Sequence, residues 1–344
     1  MAFSKNSKIF ITGANGFLGR YIIRQLLHDG YNDIVGLYRL PKDNIQPAHL
    51  NPVIQWREGN ILDIPFLTSV LEGIDIIIHT AADVHFDLKA RSKQLQTAID
   101  GTANIVNIAL EKSIKKIIHI SSVAAMGRRR ESETISEKHI FSHSKYDTSY
   151  ALSKFLAEQE VWRGHAEGLN TTILNPSKIL GAGEWEKSSP QIFKNVYLGQ
   201  KFYPVGCTGW VDVRDVANAV SKCLETDFNG ERFIISAENI SYQKVLDTVA
   251  TKLSVKRPLS PISNKYAPIL WRIEALKSFF LGKKPIMTKE TILSTSAKSE
   301  YDAQKSVEIL GMAYRSIENT IQACCVEFLA TYQNKEKLVE LPVE

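Results

Sequence analysis

Glycines recur at positions 13, 16 and 19 in the stretch TGANGFLG, directly after the apolar run KIFI at 8–11. A residue without a β-carbon lets the backbone turn tightly and lets another chain segment come close. Gly13 permits a sharp turn at the end of a first strand, and Gly16 permits the approach of a diphosphate. Gly19 lets the following helix pack closely on the sheet. The free N–H groups at that helix N-terminus, with the helix dipole, favour negative charge. Glycine-rich turns are common, and this one gains meaning from its place between an N-terminal strand and a helix, where the pattern points to dinucleotide binding.

The first half continues in the same alternation. KIFIT (8–12), DIVGLY (33–38), PVIQWRE (52–58) and DIIIHTAA (75–82) read as strands, followed by KKIIHISS (115–122) and NTTILNP (170–176). The fourth of these is apolar on consecutive positions, as a strand buried on both faces must be. Helices are expected at 17–30, closed by Gly30, at 98–113 and at about 148–168. Strands alternating with such helices predict βαβ units and a doubly wound parallel α/β sheet of Rossmann type. Beyond Pro176 the pattern loosens: 211–225, 241–253 and the final SIENTIQACCVEFLATYQNKE read as helices and ERFIIS (231–236) as a late strand. The expected organisation is a dinucleotide-binding domain over 1–176 plus about 211–236. A smaller, discontinuous C-terminal substrate lobe comprises 177–210 and 237–344.

Composition narrows the function classes. The 344 residues are 44% hydrophobic, ample for a large core, and 42 Lys and Arg against 37 Asp and Glu give a mild +5. The densest basic cluster, RRR at 128–130, reads as a solvated loop, and no nucleic-acid partner is expected. Cys207, Cys223, Cys324 and Cys325 form no CxxC pair and lack histidines at ligand spacing, so reduced thiols and no metal site are expected. The apolar runs fall short of the roughly 18 residues that read as a membrane span. The first apolar run is a strand leading into the glycine turn and not a signal peptide. A soluble, cytoplasmic protein is the expectation. The amphipathic stretch ILWRIEALKSFFLGKK (269–284) reads as intramolecular packing, with a lid or a membrane-surface contact as the alternatives.

A second motif carries chemistry. Tyr150 and Lys154, in YALSK, lie four apart in a helical stretch and share one face. A tyrosine hydroxyl titrates near 10, and a neighbouring ammonium is expected to lower that value. A phenol tuned in this way can exchange a proton with a substrate oxygen while hydride moves at the adjacent carbon.

Five ordered motifs together resemble the extended branch of the short-chain dehydrogenase/reductase superfamily, across the whole chain. TGANGFLG is similar to its TGxxGFxG, HTAA (79–82) to HxAA, ISSVAAMG (120–127) to SSxxxxxG, YALSK to YxxxK, and WVDVRDVANA (210–219) to FVxVxDVAxA. The resemblance implies a catalytic set of Ser122, Tyr150 and Lys154, with Ser121 as the fallback serine. It further implies coenzyme contacts from Gly13, Asn15, Gly16, Phe17, Leu18 and Gly19, from Arg39, Asn60 and Ile61, and from Ala81, Ala82 and Pro176, besides Tyr150 and Lys154. Asp63 matches the second acid of the adenine-side GDxxD pattern, while Asn60 replaces the first. Ala98 stands where the family usually has an asparagine, so any relay role of that amide must be filled otherwise. A homodimer is a further family-based expectation.

The coenzyme preference is read at the end of the second strand. Asp33 precedes that strand, whereas Arg39 ends it and Lys42 follows. Two cations without a carboxylate favour the 2′-phosphate of NADP, with NAD as the alternative. The stretch TTILNPSKILGAGEW is closer to the dihydroflavonol reductase and 3β-hydroxysteroid dehydrogenase group than to the sugar-nucleotide enzymes. The expected reaction is therefore NADP(H)-dependent interconversion of a secondary alcohol and a ketone on a small organic molecule. A nucleotide-sugar epimerase or dehydratase is the runner-up, and a non-catalytic NADP-sensing protein a third reading. Substrate-facing candidates are Asp83, His85, Phe86, Met126, Lys178, Trp185 and Trp210. His85 reads first as a plain loop histidine, and Trp185 and Trp210 read first as core or lid packing.

Overall fold

The computed structural model describes residues 2–39, 53–81, 91–127, 134–141, 148–262, 295–333 and 340–343. Among these, seven strands form one parallel sheet. They are β1 (Ile9–Thr12), β2 (Ile34–Tyr38), β3 (Gln55–Glu58), β4 (Ile76–His79), β5 (Lys116–Ile120), β6 (Thr171–Pro176) and β10 (Glu231–Ile235), ordered β10-β6-β5-β4-β1-β2-β3. The order reverses between β1 and β4, and a doubly wound sheet opens its ligand crevice at such a point, outside the carboxyl ends of the strands. Thr12, Tyr38, His79, Ile120 and Pro176 end their strands on that edge.

Both faces of the sheet are buried, and the side chains divide by the two-residue period of a strand. Ile9, Ile11, Ile76, Ile78, Ile118 and Ile120 face one core, shared with α1 (Phe17–His28) and α6 (Val213–Glu225). Phe10, Ile77, Ile117 and Ile173 face the other, closed by α2 (Ile64–Val70), α3 (Arg91–Glu111) and α4 (Ser149–Ala166). The stretch expected as one helix from 211 begins as β9 (Cys207–Asp212), because Asp212 caps α6 by accepting from Arg214 N–H at 2.8 Å. Short strands that carry too few residues for a periodic signal complete the second part of the chain. β7 (Lys178–Leu180), β9 and β11 (Glu238–Ser241) form a three-stranded sheet, and β8 (Phe202–Pro204) pairs with β12 (Ser260–Ile262). Helices α5 (Gln191–Tyr197), α7 (Tyr242–Lys252), α8 (Gln304–Glu308) and α9 (Ile317–Phe328) accompany them.

The end of the chain returns to the first helix. Glu340 pairs with Arg20 Nε at 2.8 Å and with Arg24 at 3.4 Å. Tyr21, fully buried, accepts from Leu341 N–H at 3.0 Å and donates to the Ala182 carbonyl at 2.8 Å. Among the described residues no helix is long and apolar enough to cross a membrane, and no cluster of three His, Cys, Asp or Glu could hold a metal ion. All four cysteines are free thiols. Lys42, the triple arginine at 128–130 and the stretch 269–284 lie outside the described residues.

Gly19 sits where α1 crosses the glycine turn. A β-carbon there would stand 2.3 Å from the Gly13 carbonyl oxygen and 2.9 Å from Ala14 Cα, both backbone atoms that cannot swing away. Gly19→Ala is therefore expected to cost about 1–3 kcal/mol of stability. A lowered urea midpoint with an unchanged slope would register the loss.

Candidate active site

The sequence-predicted serine, tyrosine and lysine meet at the carboxyl edge of β5. Ser122 caps a 3₁₀ turn (Val123–Met126), its Oγ accepting from Ala124 N–H at 3.2 Å. The same hydroxyl is hydrogen-bonded to the phenol of Tyr150. Tyr150 stands in the first turn of α4, a helix started by Thr148, whose Oγ1 accepts from Ala151 N–H at 3.1 Å. Lys154 follows one turn later, buried, with Nζ donating to the Ile120 carbonyl at 2.9 Å.

The electrostatics depart from the sequence expectation in one respect. Burial raises the pKa of Tyr150, and the Ser122 hydrogen bond only partly offsets it. Lys154 aims its ammonium at the Ile120 carbonyl. Burial also pulls Lys154 down to about 8, against an upward pull from Glu158. At neutral pH the pair is thus a neutral phenol beside an ammonium.

Glu158 went unnoticed in the sequence. It lies four residues beyond Lys154 and extends the 150–154 stripe by one turn, which is the signal that could have found it. Nearly inaccessible, it accepts from Ser121 Oγ at 2.8 Å and from Asn175 Nδ2 at 3.0 Å, and it pairs with Arg232 at 3.0 Å. Asn175 also donates to the Ser122 carbonyl at 3.0 Å. The two adjacent serines therefore have separate tasks, Ser121 in this buried network and Ser122 at the phenol. Arg232 extends the network by donating to the Glu137 carbonyl at 2.9 Å.

The glycine turn has the form of a diphosphate cradle. Gly13 adopts φ +66°, and a β-carbon there would press on Thr80 Oγ1 and on the backbone of Ala81. Gly16 caps α1 without any side-chain bond, and the first N–H to close an intrahelical bond is that of Arg20, onto the Gly16 carbonyl. The N–H groups of Phe17, Leu18 and Gly19 thus precede the helical ladder, as an anion site requires. Asn15 is half-buried in the turn, while the side chains of Phe17 and Leu18 pack against the core.

The remaining candidates scatter. Arg39 is exposed at the end of β2, and Asp33 lies before that strand, where it accepts from Gln55 Nε2 at 3.1 Å. Asn60 accepts from Leu62 N–H and Asp63 caps α2, so both shape the loop after β3. The Ile61 side chain packs on Gly101 of α3. Pro176 is buried at the end of β6, with Ala81 just after β4. Lys178 lies over Tyr242 at 4.8 Å and Trp210 at 5.4 Å. Met126 is buried among Val123, Ile135, Ile234 and Tyr301. Trp185 is likewise packed, edge-on to Phe193 and Phe328, with Nε1 donating to Thr331 Oγ1 at 2.7 Å. Trp210 is fully buried and donates to the Ile240 carbonyl. Ala82, Asp83, His85 and Phe86 lie outside the described residues.

Beneath the edge sit two buried histidines, His79 and His119, paired across β4 and β5 with ring centroids 5.2 Å apart. Burial holds His79 down at about 3, with Lys154 adding to the effect. His119 lies well below its ordinary value for the same reason, helped by His79 and Lys154. Among the described residues neither ring nitrogen of His119 has a hydrogen-bond partner.

A doubly wound sheet with a glycine cradle and a Ser/Tyr/Lys edge defines the class of extended short-chain dehydrogenases/reductases. Residues 9–236 match the model of the NAD dependent epimerase/dehydratase family, and the chain belongs to that family. It is similar to a putative dihydroflavonol 4-reductase of Synechocystis sp., 28% identical over 321 residues that span 91% of this chain and 92% of the relative. It is also similar to a cinnamoyl-CoA reductase of Medicago truncatula, 27% identical over 84% of this chain and 96% of the relative. The crystal structure of gox2253 superposes with a TM-score of 0.79 at 28% identity, covering 96% of this chain and all of that one. UDP-glucose 4-epimerase of Thermotoga maritima, solved with UDP-glucose, has a TM-score of 0.76 at 18% identity, covering 94% and 99%, a likeness of fold alone.

The neutral histidines set an acid limit on stability. Both have folded pKa values below that of an unfolded histidine, about 6.5. As pH falls below that value the unfolded chain takes up two protons that the folded chain refuses. The stability present above pH 6.5 is then lost, with a limiting slope of about 2.7 kcal/mol per pH unit for two such groups. Urea unfolding between pH 7 and pH 4 is expected to follow that sense, and His119→Phe to remove about half of the histidine contribution.

Proposed function

We propose that this chain is an NADP(H)-dependent reductase that converts a ketone of a small organic substrate to a secondary alcohol. One observation carries the reading: the Ser122 hydroxyl bonds to Tyr150, a neutral phenol one helical turn from the buried Lys154 ammonium. Reduction consumes a proton at the carbonyl oxygen, and a phenol with a raised pKa is protonated and ready to give it. A coenzyme held on the Gly13–Gly19 turn would supply the hydride that the carbonyl carbon receives. Ser122 orients the substrate oxygen, Tyr150 delivers the proton to it, and Lys154 holds positive charge where the alkoxide forms. Residues 177–210 and 237–344 serve as the substrate lobe, with Lys178 on its wall.

The Gly13–Gly19 turn fits the diphosphate through its unpaired N–H groups and missing side chains. Arg39, exposed at the end of β2, suits the 2′-phosphate, and the carboxylate of Asp33 is at the wrong end of that strand to receive ribose hydroxyls. The names of the relatives near 28% identity, a putative dihydroflavonol 4-reductase and a cinnamoyl-CoA reductase, support reduction over epimerisation.

Tyr150→Phe is expected to keep coenzyme binding and to lose turnover by roughly 10² to 10⁴ with a panel of ketones. Undiminished turnover would end the mechanism. Arg39→Ala should lower kcat/KM for NADPH about tenfold and leave that for NADH nearly unchanged. A wild-type enzyme that prefers NADH would overturn the coenzyme assignment. Coenzyme retained through purification, together with stabilisation by nucleotide sugars, would favour the epimerase reading instead.

A further inference from the structure

Thr12 ends β1 immediately before the glycine turn and is fully buried. Its Oγ1 lies 3.1 Å from Thr80 N and 3.0 Å from Ala81 N, and accepts from both. A hydroxyl oxygen has two lone pairs and one proton. With both lone pairs engaged, the proton has one destination, His79 Nδ1 at 2.8 Å. Nδ1 is therefore the acceptor, and the neutral ring carries its hydrogen on Nε2. That hydrogen points to Thr102 Oγ1 at 3.1 Å, and Thr102 passes its own proton to the Ala98 carbonyl at 2.6 Å. The opposite tautomer would set two hydrogens against each other between Nδ1 and Thr12, so the directions of all five bonds follow from one oxygen.

We infer that His79 is a positioning residue for the dinucleotide: locked in its Nε2–H form, it orients the Thr12 hydroxyl so that Thr80 and Ala81 stay clamped to the glycine turn. The inference rests on the coenzyme reading above. The clamp is reinforced by Thr80 Oγ1, which donates to the Thr12 carbonyl at 2.5 Å. The gap it sets is narrow, since a β-carbon on Gly13 would stand 3.1 Å from both Ala81 N and Ala81 Cα. The second arm of the imidazole ties this spacing to α3 through Thr102. The two backbone segments that flank a bound diphosphate and ribose are thus set against each other by a side chain that touches neither.

Two measurements test this. Histidine ring ¹⁵N spectra of the coenzyme-free protein should place the hydrogen of His79 on Nε2, and a hydrogen on Nδ1 overturns the inference without any variant. NADPH binding, followed by nicotinamide fluorescence, should weaken about tenfold in Thr12→Val, which keeps the shape and removes the hydroxyl. Thr12→Ser, which restores the hydroxyl, should recover most of the affinity. His79→Asn, able to present an acceptor near the Nδ1 position, should bind more tightly than His79→Leu. A folded Thr12→Val that binds like wild type overturns the positioning role alone. Failure of the wild-type protein to bind NADPH or NADH overturns the coenzyme reading together with it.

Discussion

The Gly13 carbonyl is the point on which the crevice edge of the sheet turns. It accepts from Gly16 N–H at 2.9 Å, closing the turn, and α1 passes so near that Gly19 has no room for a side chain. Gly13 itself is held in the left-handed region, with the loop after β4 against its Cα. Three backbone segments thereby converge at the point where the strand order reverses. The first turn of α1 opens onto that convergence with its N–H groups unpaired, and the dipole of a twelve-residue helix lies behind them.

A second convergence, built from side chains, lies one strand away. Helix α4 presents Tyr150, Lys154 and Glu158 at successive turns, and each meets a different depth of the site. Tyr150 reaches the edge, Lys154 reaches the last carbonyl of β5, and Glu158 reaches the buried network of Ser121, Asn175 and Arg232. A carboxylate with so little contact with water is tolerable only because its partners are arranged around it. The same burial that makes this network costly to disturb keeps the phenol protonated and the lysine less basic than usual.

Much of this was legible in the residues because the constraints are local. Glycine spacing reports backbone approach directly, and the four-residue step from Tyr150 to Lys154 reports a shared helix face. The apolar runs announced strands but not which face each side chain takes, since both faces are buried and Ile9, Phe10 and Ile11 are alike in hydrophobicity. Glu158 shares the Tyr150–Lys154 stripe, but an isolated helical glutamate reads as solvated, and one of its partners, Arg232, lies 74 residues away. The upward direction of the Tyr150 shift is hidden from the sequence for a related reason. Neighbouring charge can be inferred from spacing, but desolvation is set by the whole surrounding fold. Trp185 and Met126 illustrate the converse, large side chains near a motif that tertiary packing draws into the interior.

The hydrogen bond from Leu341 to Tyr21 joins residues 320 positions apart. During synthesis, the helix that follows the glycine turn can form and settle on the sheet long before the segment that clasps it has left the ribosome. Until then the hydroxyl of Tyr21 lacks that amide donor, and Arg20 and Arg24 lack the carboxylate of Glu340. Helix α1 therefore stays unlatched while the intervening chain is made, and a segment synthesised 320 positions later completes it.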